Sequence, residues 1–583
     1  MTNKYKFLFI ILLFLAALCV LPVNLLSQNV KYTSGYFRPP LDYQLYLSGT
    51  FGELRSNHFH AGIDIKTKGR EGEPVYAVAD GYVSRIRVSN GGYGKALYIT
   101  HPNGYVSVYG HLQRFNDPIQ RFVKDFQYKK ESFTVEVFPK KDEFKVKKGE
   151  VVAWSGNTGS SSAPHLHFEI RKEASQHPVN PLLFKNIYVA DSYAPRIQEL
   201  VIYPVDSKSR INGKNDTVFY TVRGKGVKQY LEGHPRITVS GNISLGIRAY
   251  DPMDDIPNHN GIYNLKVWLD TSQVFGLEMD ELSFSTTRYV NSLIDYGYYK
   301  KEGRKVIRTQ VDTNNRLFIY RNVNHNGIFH FADSSRHAVV FRVTDVYQNT
   351  ASLQFSLFSV TSVTPDEKKT DAIQKGVYFD FSKKHHFESG NITLDFPANA
   401  FYRSFYFRFD SVAGDSTMVS PVYKVHNRFM PVQKSFSISI KSGADTLSYA
   451  DQLYIAYLDE NKESWFVGNS RDGNRLEAKT NLLGKYVVLA DTVPPEINPV
   501  NIANGKNIAR QKSIKIKISD GETGIKTYRA TLNGHWILME YEPKKNLLVY
   551  TVDGHIQKGV SHFKLEVTDM VGNESVYEAE LVR

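Results

Sequence analysis

The sequence predicts a mainly β protein with several domains in a row. Aromatic residues are abundant, with 37 Tyr and 35 Phe against 7 Met in 583 residues, and aromatic side chains favour strands. Residues 514–518 alternate isoleucine with lysine, which is typical of a strand with one buried face and one wet face. Since one hydrophobic core rarely organises a chain of this length, we expect about three or four domains.

The N-terminus has the pattern of an export signal. Lys4 and Lys6 precede an apolar run over residues 7–15, and polar residues follow at 27–29. We expect cleavage near Gln28, so that residues 1–27 form a signal peptide. The alternative is an uncleaved anchor, because residues 7–26 are nearly long enough to cross a membrane.

Cys19 is the single cysteine and lies inside this segment. Leu18 before it is a poor fit to the small residue that a lipoprotein signal needs, so lipidation is not expected. Removal of the signal leaves no thiol, which excludes disulfides, cysteine nucleophiles and cysteine metal sites. Any bound metal must therefore use histidine and carboxylate ligands.

The formal net charge is +13. Such a charge would help approach to an anionic envelope, but it equally describes a solvated surface. The sequence contains no basic cluster interleaved with aromatics of a known nucleic-acid motif. We expect no nucleic-acid partner.

Composition and repeats divide the chain after the signal. Residues 28–190 are rich in histidine and glycine turns, with short strands expected at 74–79 and 96–99 and a hairpin around 139–143. Later, residues 191–197 recur as 491–497, and 341–345 recur as 565–569, which indicates two diverged repeats. We therefore predict domains at 28–190, 191–365, 366–490 and 491–583.

The two repeats resemble immunoglobulin-like (Ig-like) sandwiches. Each opens with a proline-marked linker and ends with a strand and a turn, at 347–349 and 571–573. The unit between them, 366–490, is β-rich, and its residues 392–400 resemble a ZU5-type strand and turn. The fold class predicted is an antiparallel β domain followed by β-sandwich domains.

The candidate chemistry lies in the first domain. Even spacing along an extended segment puts His60 and Asp64 on one face, and the same alternation puts both imidazoles of His165-Leu166-His167 on one face. A hydrolytic zinc site needs three ligands of this kind and one open position for water. His60, Asp64 and His167 supply that count.

Two further histidines, His111 and His165, remain for acid–base work. They could serve as the proton acceptor and as the donor to a developing oxyanion. His58 shares the side of His60 if the strand is regular, and we assign it a structural role. Glu169 shares the parity of His167, so it either orients that imidazole or is a structural carboxylate.

Six motifs stand in the order typical of the lysostaphin/LytM-type M23 peptidases. They are His-x-Gly-x-Asp, Ala-x-Asp/Gly-Gly-x-Val, Gly-Tyr-Gly, Tyr-Gly-His-Leu, Gly-x-Thr-Gly and His-Leu-His-Phe-Glu. Here they occupy residues 60–64, 79–83, 92–94, 109–112, 156–159 and 165–169. The chain resembles this family over about residues 50–185, and the later two-thirds are not covered.

The resemblance implies one Zn²⁺ on His60, Asp64 and His167, at the floor of a small antiparallel sheet with loops as walls. It maps the two non-ligand histidines of the family onto His111 and His165. We assign His165 as general base and His111 as the group that polarises or stabilises the intermediate, and these roles could be exchanged.

The implied activity is that of an exported zinc metalloendopeptidase acting on peptidoglycan stem peptides or cross-bridges. The expected destination is the periplasm or cell envelope, with secretion or signal anchoring also open. Residues 160–164 depart from the family's usual loop, and the insertion after His111 is long. These departures leave the substrate preference open.

Two other functions compete with this one. Some LytM-like domains have lost zinc and act as regulatory or envelope-binding proteins, through amidases or glycan, and an intact ligand set argues against that here. Alternatively, the Ig-like repeats make the protein an envelope adhesin or scaffold. Under any of these hypotheses, other envelope proteins could bind the Ig-like domains.

Overall fold

The chain is mainly β, as predicted: strands make up 48% and helices 8% of the residues that the structure describes. The computed structural model describes residues 35–361, 376–442, 448–461, 463–556 and 558–583. The expected signal peptide lies outside these ranges. Among the helices of the described ranges, none has both the length and the apolar character needed to cross a membrane.

The N-terminal unit contains a nine-stranded antiparallel sheet and a three-stranded one. The large sheet runs β1-β2-β11-β6-β5-β4-β8, with β12 beside β11 and β9 beside β4, and the small sheet runs β3-β10-β7. The elements are β1 (Leu47–Gly49), β2 (Ile63–Lys66), β3 (Pro74–Tyr76), β4 (Gly81–Val88), β5 (Lys95–Thr100), β6 (Tyr105–Gly110), β7 (Leu112–Phe115), α1 (Asp117–Lys130), β8 (Val135–Val137), β9 (Lys145–Val146), β10 (Val151–Ser155), β11 (His165–Lys172) and β12 (Pro178–Val179).

Alternation along β2 and β11 decides which side chains reach the core. Leu166, Phe168 and Ile170 are fully buried in the hydrophobic core, so their neighbours on β11 face the other way. The antiparallel register places His167 opposite Asp64 on β2 and opposite Gly110 on β6. The middle of the sheet thus carries polar groups from several separate segments on one face.

The hairpin predicted around residues 139–143 is wrong. Both flanking strands, β8 and β9, pair antiparallel with β4 rather than with each other. Their alternation correctly gives each a buried side but carries no information about the pairing partner. The helix α1, which precedes them, was not predicted; Asn116 caps it by accepting from the Ile119 N–H, and Ile119 and Val123 bury one face.

The second unit is a twelve-stranded sheet centred on the long strand β17. β16 and β17 each pair parallel with β24, and the remaining pairings are antiparallel. The elements are β13 (Arg196–Pro204), β14 (Arg210–Ile211), β15 (Val218–Arg223), β16 (Lys228–Leu231), β17 (Ile237–Met253), β18 (Ile256–Asn260), β19 (Asn264–Leu269), β20 (Ser272–Glu278), α2 (Val290–Leu293), α3 (Tyr296–Glu302), β21 (Ile307–Arg308), β22 (Ile328–Phe331), β23 (Arg336–Thr344) and β24 (Thr350–Ser359).

The third unit has two five-stranded sheets and one strand pair around its own core. The sheets run β26-β27-β31-β35-β34 and β29-β30-β36-β32-β33, and β25 pairs with β28. The strands are β25 (Val377–Phe379), β26 (His385–Ser389), β27 (Ile392–Phe396), β28 (Phe405–Phe407), β29 (Phe409–Val412), β30 (Val422–Val425), β31 (Phe436–Lys441), β32 (Leu453–Leu458), β33 (Ser464–Gly468), β34 (Ser470–Asp472), β35 (Arg475–Thr480) and β36 (Gly484–Ala490).

The last unit has two sheets that share one core. Ile514, Ile516 and Ile518 of one sheet meet Phe563 and Leu565 of the other, so the face predicted to be buried in residues 514–518 is buried. The sheets run β37-β39-β43-β42 and β38-β45-β44-β40-β41. The strands are β37 (Glu496–Pro499), β38 (Lys506–Asn507), β39 (Ser513–Ser519), β40 (Ile525–Leu532), β41 (His535–Trp536), β42 (Met539–Glu542), β43 (Leu547–Thr551), β44 (Val560–Asp569) and β45 (Glu574–Val582).

The units share apolar contacts. Met253 of the second unit and Leu538 of the last belong to the hydrophobic core of the first. Conversely, Phe51 and Phe59 of the first unit are buried in the core of the second. The segment that leads to His60 is therefore held by the second unit.

Candidate metal centre

Three side chains converge on the polar face of the large sheet, as the sequence predicts. His60 Nε2 lies 3.0 Å from Asp64 Oδ1, His167 Nδ1 lies 2.9 Å from the same oxygen, and the two nitrogens are 3.1 Å apart. All three residues are buried, with at most 8% of any of them exposed. They form one compact triangle of possible ligand atoms.

The outer hydrogen bonds of the two imidazoles fix which nitrogen faces the triangle. His60 Nδ1 donates to the Thr50 carbonyl at 2.8 Å, and His167 Nε2 donates to Glu169 Oε1 at 2.8 Å. Burial lowers the pKa of His167, but its hydrogen bonds to Asp64 and Glu169 outweigh burial and raise the pKa to about 9. A cation would displace this proton on binding, and the facing nitrogens of the two neutral rings would then direct lone pairs at it, beside a carboxylate oxygen. Three acceptors directed at one point fit a cation.

The donor set also fits zinc in type and spacing. Zinc in hydrolytic sites takes three histidine or carboxylate ligands at about 2.0–2.2 Å, which puts neighbouring ligand atoms roughly 3.3 Å apart in a tetrahedron. The observed separations are close to this value. The second oxygen of the carboxylate is held by Arg55, whose Nη2 lies 3.2 Å from Asp64 Oδ2. All three residues line the groove, so the fourth coordination position of a tetrahedral ion would face it.

Glu169 is a fully buried carboxylate that holds His167 in place. Its Oε1 also accepts from the Tyr93 hydroxyl at 2.5 Å, and its Oε2 accepts from Arg171 Nε at 2.5 Å. Burial alone raises the pKa of Glu169, but the Arg171 charge and the His167 hydrogen bond outweigh it and lower the pKa to about 2. Glu169 is thus ionised and orients the imidazole.

Replacing Glu169 with glutamine is expected to weaken metal binding about 10- to 100-fold, because the supporting charge behind His167 is lost. Competition with a chelator for zinc measures this affinity. Glu173→Gln is the matched control, since Glu173 is an exposed carboxylate just beyond the end of the same strand. Equal zinc affinities in the two variants would contradict an orienting role.

His111 and His165 lie beside the triangle with their rings 4.7 Å apart. His111 Nδ1 donates to the Thr158 carbonyl at 2.8 Å, and His165 Nδ1 donates to the Ala163 carbonyl at 2.9 Å. The Nε2 atom of each neutral ring is therefore a hydrogen-bond acceptor. His165 Nε2 lies 3.4 Å from Asp64 Oδ1, next to the metal ligands.

His111 stays neutral over a wide pH range. Burial is the largest of the causes that lower its pKa to about 3. A neutral imidazole whose only N–H is held by a carbonyl accepts a proton or hydrogen bond and cannot donate one. In this state, His111 offers no N–H to an oxyanion, so the stabilising role predicted for it would require a proton on its Nε2.

Close backbone approaches explain two glycines of the motifs. A Cβ on Gly62 would lie 2.3 Å from the Phe168 carbonyl oxygen, so only glycine allows β2 to approach β11 here. Gly159 has φ +71°, and its Cβ would lie 2.3 Å from the Gly94 nitrogen. These contacts fix the ligand strand and one groove wall.

The residues surround an open groove of about 710 Å³. Arg55 and Lys66 add positive charge to its lining, and the loop 160–164 forms one wall. His58 also lines the groove, but it is exposed and its Nδ1 bonds the Ser56 carbonyl at 2.8 Å, outside the triangle. The predicted regular strand through His58 and His60 starts only at Ile63.

The last unit reaches this groove, which the sequence did not indicate. Lys544 Nζ donates to the Ser161 carbonyl at 2.8 Å and also to the Asn157 carbonyl. Nearby, Lys95 Nζ lies 2.7 Å from Glu540 Oε2. The wall loop is thus braced by residues almost four hundred positions away.

The same unit packs on α1 as well. The Tyr128 hydroxyl donates to Asp553 Oδ2 at 2.9 Å, and the Tyr128 ring stacks on His555 at 4.2 Å. Lys124 pairs with Asp553 at 2.7 Å. The helix that was missed in the sequence is therefore the docking surface for the last unit.

Comparison with known proteins places families on two parts of the chain. Residues 58–127 and 134–181 match Peptidase family M23. Residues 376–491 match the Zu5-like domain, in agreement with the ZU5-type pattern noted at 392–400. The M23 match contains all five histidine and aspartate residues of the site.

Curated relatives match the same N-terminal region. An uncharacterized metalloprotease of Haemophilus influenzae is 34% identical over 165 residues, covering 27% of this chain and 29% of that protein. The DD-carboxypeptidase/endopeptidase Mpg of Neisseria meningitidis is 33% identical over 161 residues, 27% of this chain and 30% of that protein. The murein hydrolase activator NlpD of Escherichia coli is 35% identical over 135 residues, 23% of this chain and 28% of that protein.

The chain spans about three-tenths of the length of the curated relatives it matches. The match falls on the β unit whose sheet carries the metal triangle, the groove and the two acceptor imidazoles. The N-terminal unit is therefore a domain of the M23 peptidase type, as its motifs predicted, and it is followed by further β domains that include a Zu5-like one.

Proposed function

We propose that the protein is an exported zinc metalloendopeptidase that hydrolyses peptide bonds in peptidoglycan stem peptides or cross-bridges. The observation that carries the proposal is the complete triangle of His60, Asp64 and His167, with one nitrogen of each imidazole directed inward. One Zn²⁺ would bind there. The relative named as a DD-carboxypeptidase/endopeptidase supports peptide hydrolysis, and the relative named as a murein hydrolase activator supports murein, which is peptidoglycan, as the target.

A bound zinc ion would polarise the scissile carbonyl and lower the pKa of water to about 7. The residues around it would handle the protons. We assign His165 as general base, because its Nε2 acceptor lies 3.4 Å from the ligand oxygen of Asp64. Once protonated, the same nitrogen can donate to the leaving amine.

His111 would act through its neutral acceptor nitrogen. Facing His165 across 4.7 Å, it can hold the attacking water or a substrate N–H in line. Its depressed pKa keeps it in this state at neutral pH. If the roles were exchanged and His111 were the base, replacing His111 would lower kcat more than replacing His165.

The proposed organisation follows the sequence: a signal peptide at 1–27, the peptidase domain at 28–190, Ig-like domains at 191–365 and 491–583, and a β-rich domain at 366–490. The paired sheets of the last unit, with β38 parallel to β45, support an Ig-like sandwich there. The proposed location is the periplasm or cell envelope, where the β domains would position the enzyme and could bind other envelope proteins.

The direct test is zinc content together with release of soluble fragments from purified peptidoglycan by the full mature chain. We expect about one zinc per chain, loss of release after chelation, and recovery when zinc is added back. A chain that binds no zinc and releases nothing would overturn the proposal.

A regulatory role is the second candidate, because one relative is named as a murein hydrolase activator. An activator of this kind needs no metal. It would stimulate an amidase equally well as the wild-type chain and as the His167→Ala variant, while releasing no fragments by itself. Amidase stimulation that requires the metal ligands would count against this alternative.

The brace from Lys544 to the groove wall predicts an effect on substrate use. Lys544→Ala removes two hydrogen bonds to the loop of Asn157 and Ser161. We expect kcat/KM to fall roughly fivefold, mainly through KM, since such bonds contribute about 1 kcal/mol. Zinc content should not change. Lys545→Ala, which removes the neighbouring exposed charge, is the control, and an equal effect in both variants would rule out a specific brace.

A further inference from the structure

A second cluster of carboxylates lies where the peptidase domain meets the next β unit. Asp191 is in the linker, Asp251 is on β17, and Asp345 follows β23. One oxygen from each lies within 4.8 Å of the others. Asp251 and Asp345 are 2% and 1% exposed. Three acidic residues from distant parts of the chain thus lie together in a region that is largely buried from solvent.

Several polar atoms of this cluster have no partner within the part of the chain that is described. Asp251 Oδ1 and Asp191 Oδ2 are buried without a hydrogen bond. Asn260 stands directly opposite Asp251 in the β17–β18 pair, and both atoms of its buried side-chain amide are also unpartnered. Directly paired residues project from the same face of a sheet. Buried polar groups normally find partners, so these orphans indicate a missing ligand.

The negative charges of the three carboxylates indicate that the missing ligand is positively charged. Burial, together with the charge of Asp345, raises the pKa of Asp191 to about 7. Burial and the charges of Asp191 and Asp345 raise the pKa of Asp251 well above its ordinary value. Three acids in one buried place repel one another unless a positive charge joins them.

The second repeat provides an internal comparison. Asp491, Asp520 and Asp569 form a similar cluster. There, Thr523 Oγ1 donates to Asp491 Oδ2 at 2.7 Å, and Asp569 Oδ1 accepts three backbone N–H groups. These carboxylates are supplied with protein donors, so a cation is not needed to satisfy them.

We propose that Asp191, Asp251 and Asp345, with Asn260 beside them, bind one hard divalent cation, Ca²⁺. The donors are all oxygens, which suit calcium rather than zinc or copper. With Ca–O distances of about 2.3–2.6 Å, two ligands of one ion lie up to roughly 5 Å apart, which accommodates the cluster. Asp191 is half-buried, leaving room for water as a further ligand.

The position of the cluster gives the ion a structural task. Met253 and Val346, close in sequence to two of the acids, pack on the peptidase core. The Val189 N–H donates to the Tyr347 hydroxyl at 3.0 Å across the same junction. A bound cation would fasten the linker to both strands and stiffen the joint between the domains.

Calcium titration of the full chain, first stripped of metal with EGTA, then freed of chelator and reloaded with one equivalent of zinc, tests the proposal. We expect roughly one Ca²⁺ site with a Kd of about 10⁻³ M or tighter, and a rise in Tm of about 2–4 °C at saturation. His167→Ala should bind calcium equally well, because the two metal sites are independent. Magnesium and zinc, titrated in the same way, are expected to give smaller shifts in Tm.

Asp251→Asn separates a cation site from a merely structural cluster. It should abolish the calcium-dependent rise in Tm, and it should raise Tm in the absence of calcium because one repelling charge is gone. Asp520→Asn, the counterpart in the other repeat, should keep the calcium response. Absence of calcium binding by the wild-type chain, or an equal response in Asp251→Asn, would overturn the proposal.

Discussion

His167→Ala is expected to lose its zinc and, with it, the release of fragments from peptidoglycan. His167 Nδ1 is one corner of a triangle with sides of 2.9 to 3.1 Å, and two remaining ligands hold zinc poorly. Since the metal contributes several kcal/mol of transition-state stabilisation, fragment release should fall about 10³-fold or more. Metal analysis of the purified variant and fragment release, measured side by side, check both parts.

The matched control for this variant is His58→Ala. His58 lines the same groove, but its ring nitrogen bonds the Ser56 carbonyl instead of joining the triangle. This variant should keep its full zinc content and most of its activity. If His167→Ala kept stoichiometric zinc, or if His58→Ala lost it, the ligand assignment would be wrong.

The ligand set was predictable because local alternation governs most of it. On β11, Leu166 and Phe168 are driven into the core, which forces His165 and His167 onto the opposite face. His60 is different, since the strand that carries Asp64 begins only at Ile63. For His60, the motif predicted a residue that does lie in the triangle, although the assumed regular strand does not reach it.

Long-range packing was not predictable from local patterns. The contact from Lys544 to Ser161 spans 383 positions, and no periodicity encodes such a partner. The same holds for Phe51 and Phe59, which look like core residues of their own domain but are buried in the next one. Alternation indicates which face of a segment is buried, but only the folded structure shows which part of the chain that face packs against.

The missed helix has a different cause, because its local signals are present in the sequence. Ile119 and Val123 have helical spacing, and Asn116 is a good N-cap. The later part of the same insertion alternates, and this alternation led to the prediction of a hairpin around residues 139–143 instead. The error matters, because Tyr128 at the end of α1 contacts Asp553 and fixes the last unit beside the groove.

The sequence left open which of His111 and His165 is the general base, and the hydrogen bonds of the two rings bear on this question. Both rings give their Nδ1 proton to a backbone carbonyl, at Thr158 and at Ala163. Each therefore presents an acceptor, so neither is a ready oxyanion donor before the proton moves. Under the proposed function, stabilisation of the developing charge would rest on the metal and on whichever ring has accepted the proton.

His165→Ala is expected to keep its zinc and lose about 10²- to 10⁴-fold in kcat, the usual contribution of a general base. The reason is the position of its Nε2, 3.4 Å from the ligand oxygen of Asp64 and so within reach of a metal-held water. Metal analysis, with kcat measured on a soluble peptidoglycan fragment, checks the two parts separately.

His111→Ala provides the comparison that decides the roles. If His111 only holds water or substrate in line, this variant keeps zinc and loses less in kcat than His165→Ala, with part of its loss in KM. The opposite order would make His111 the base. Its pKa of about 3 argues for the first outcome, because a nitrogen that weakly basic would accept a proton less readily than an ordinary imidazole.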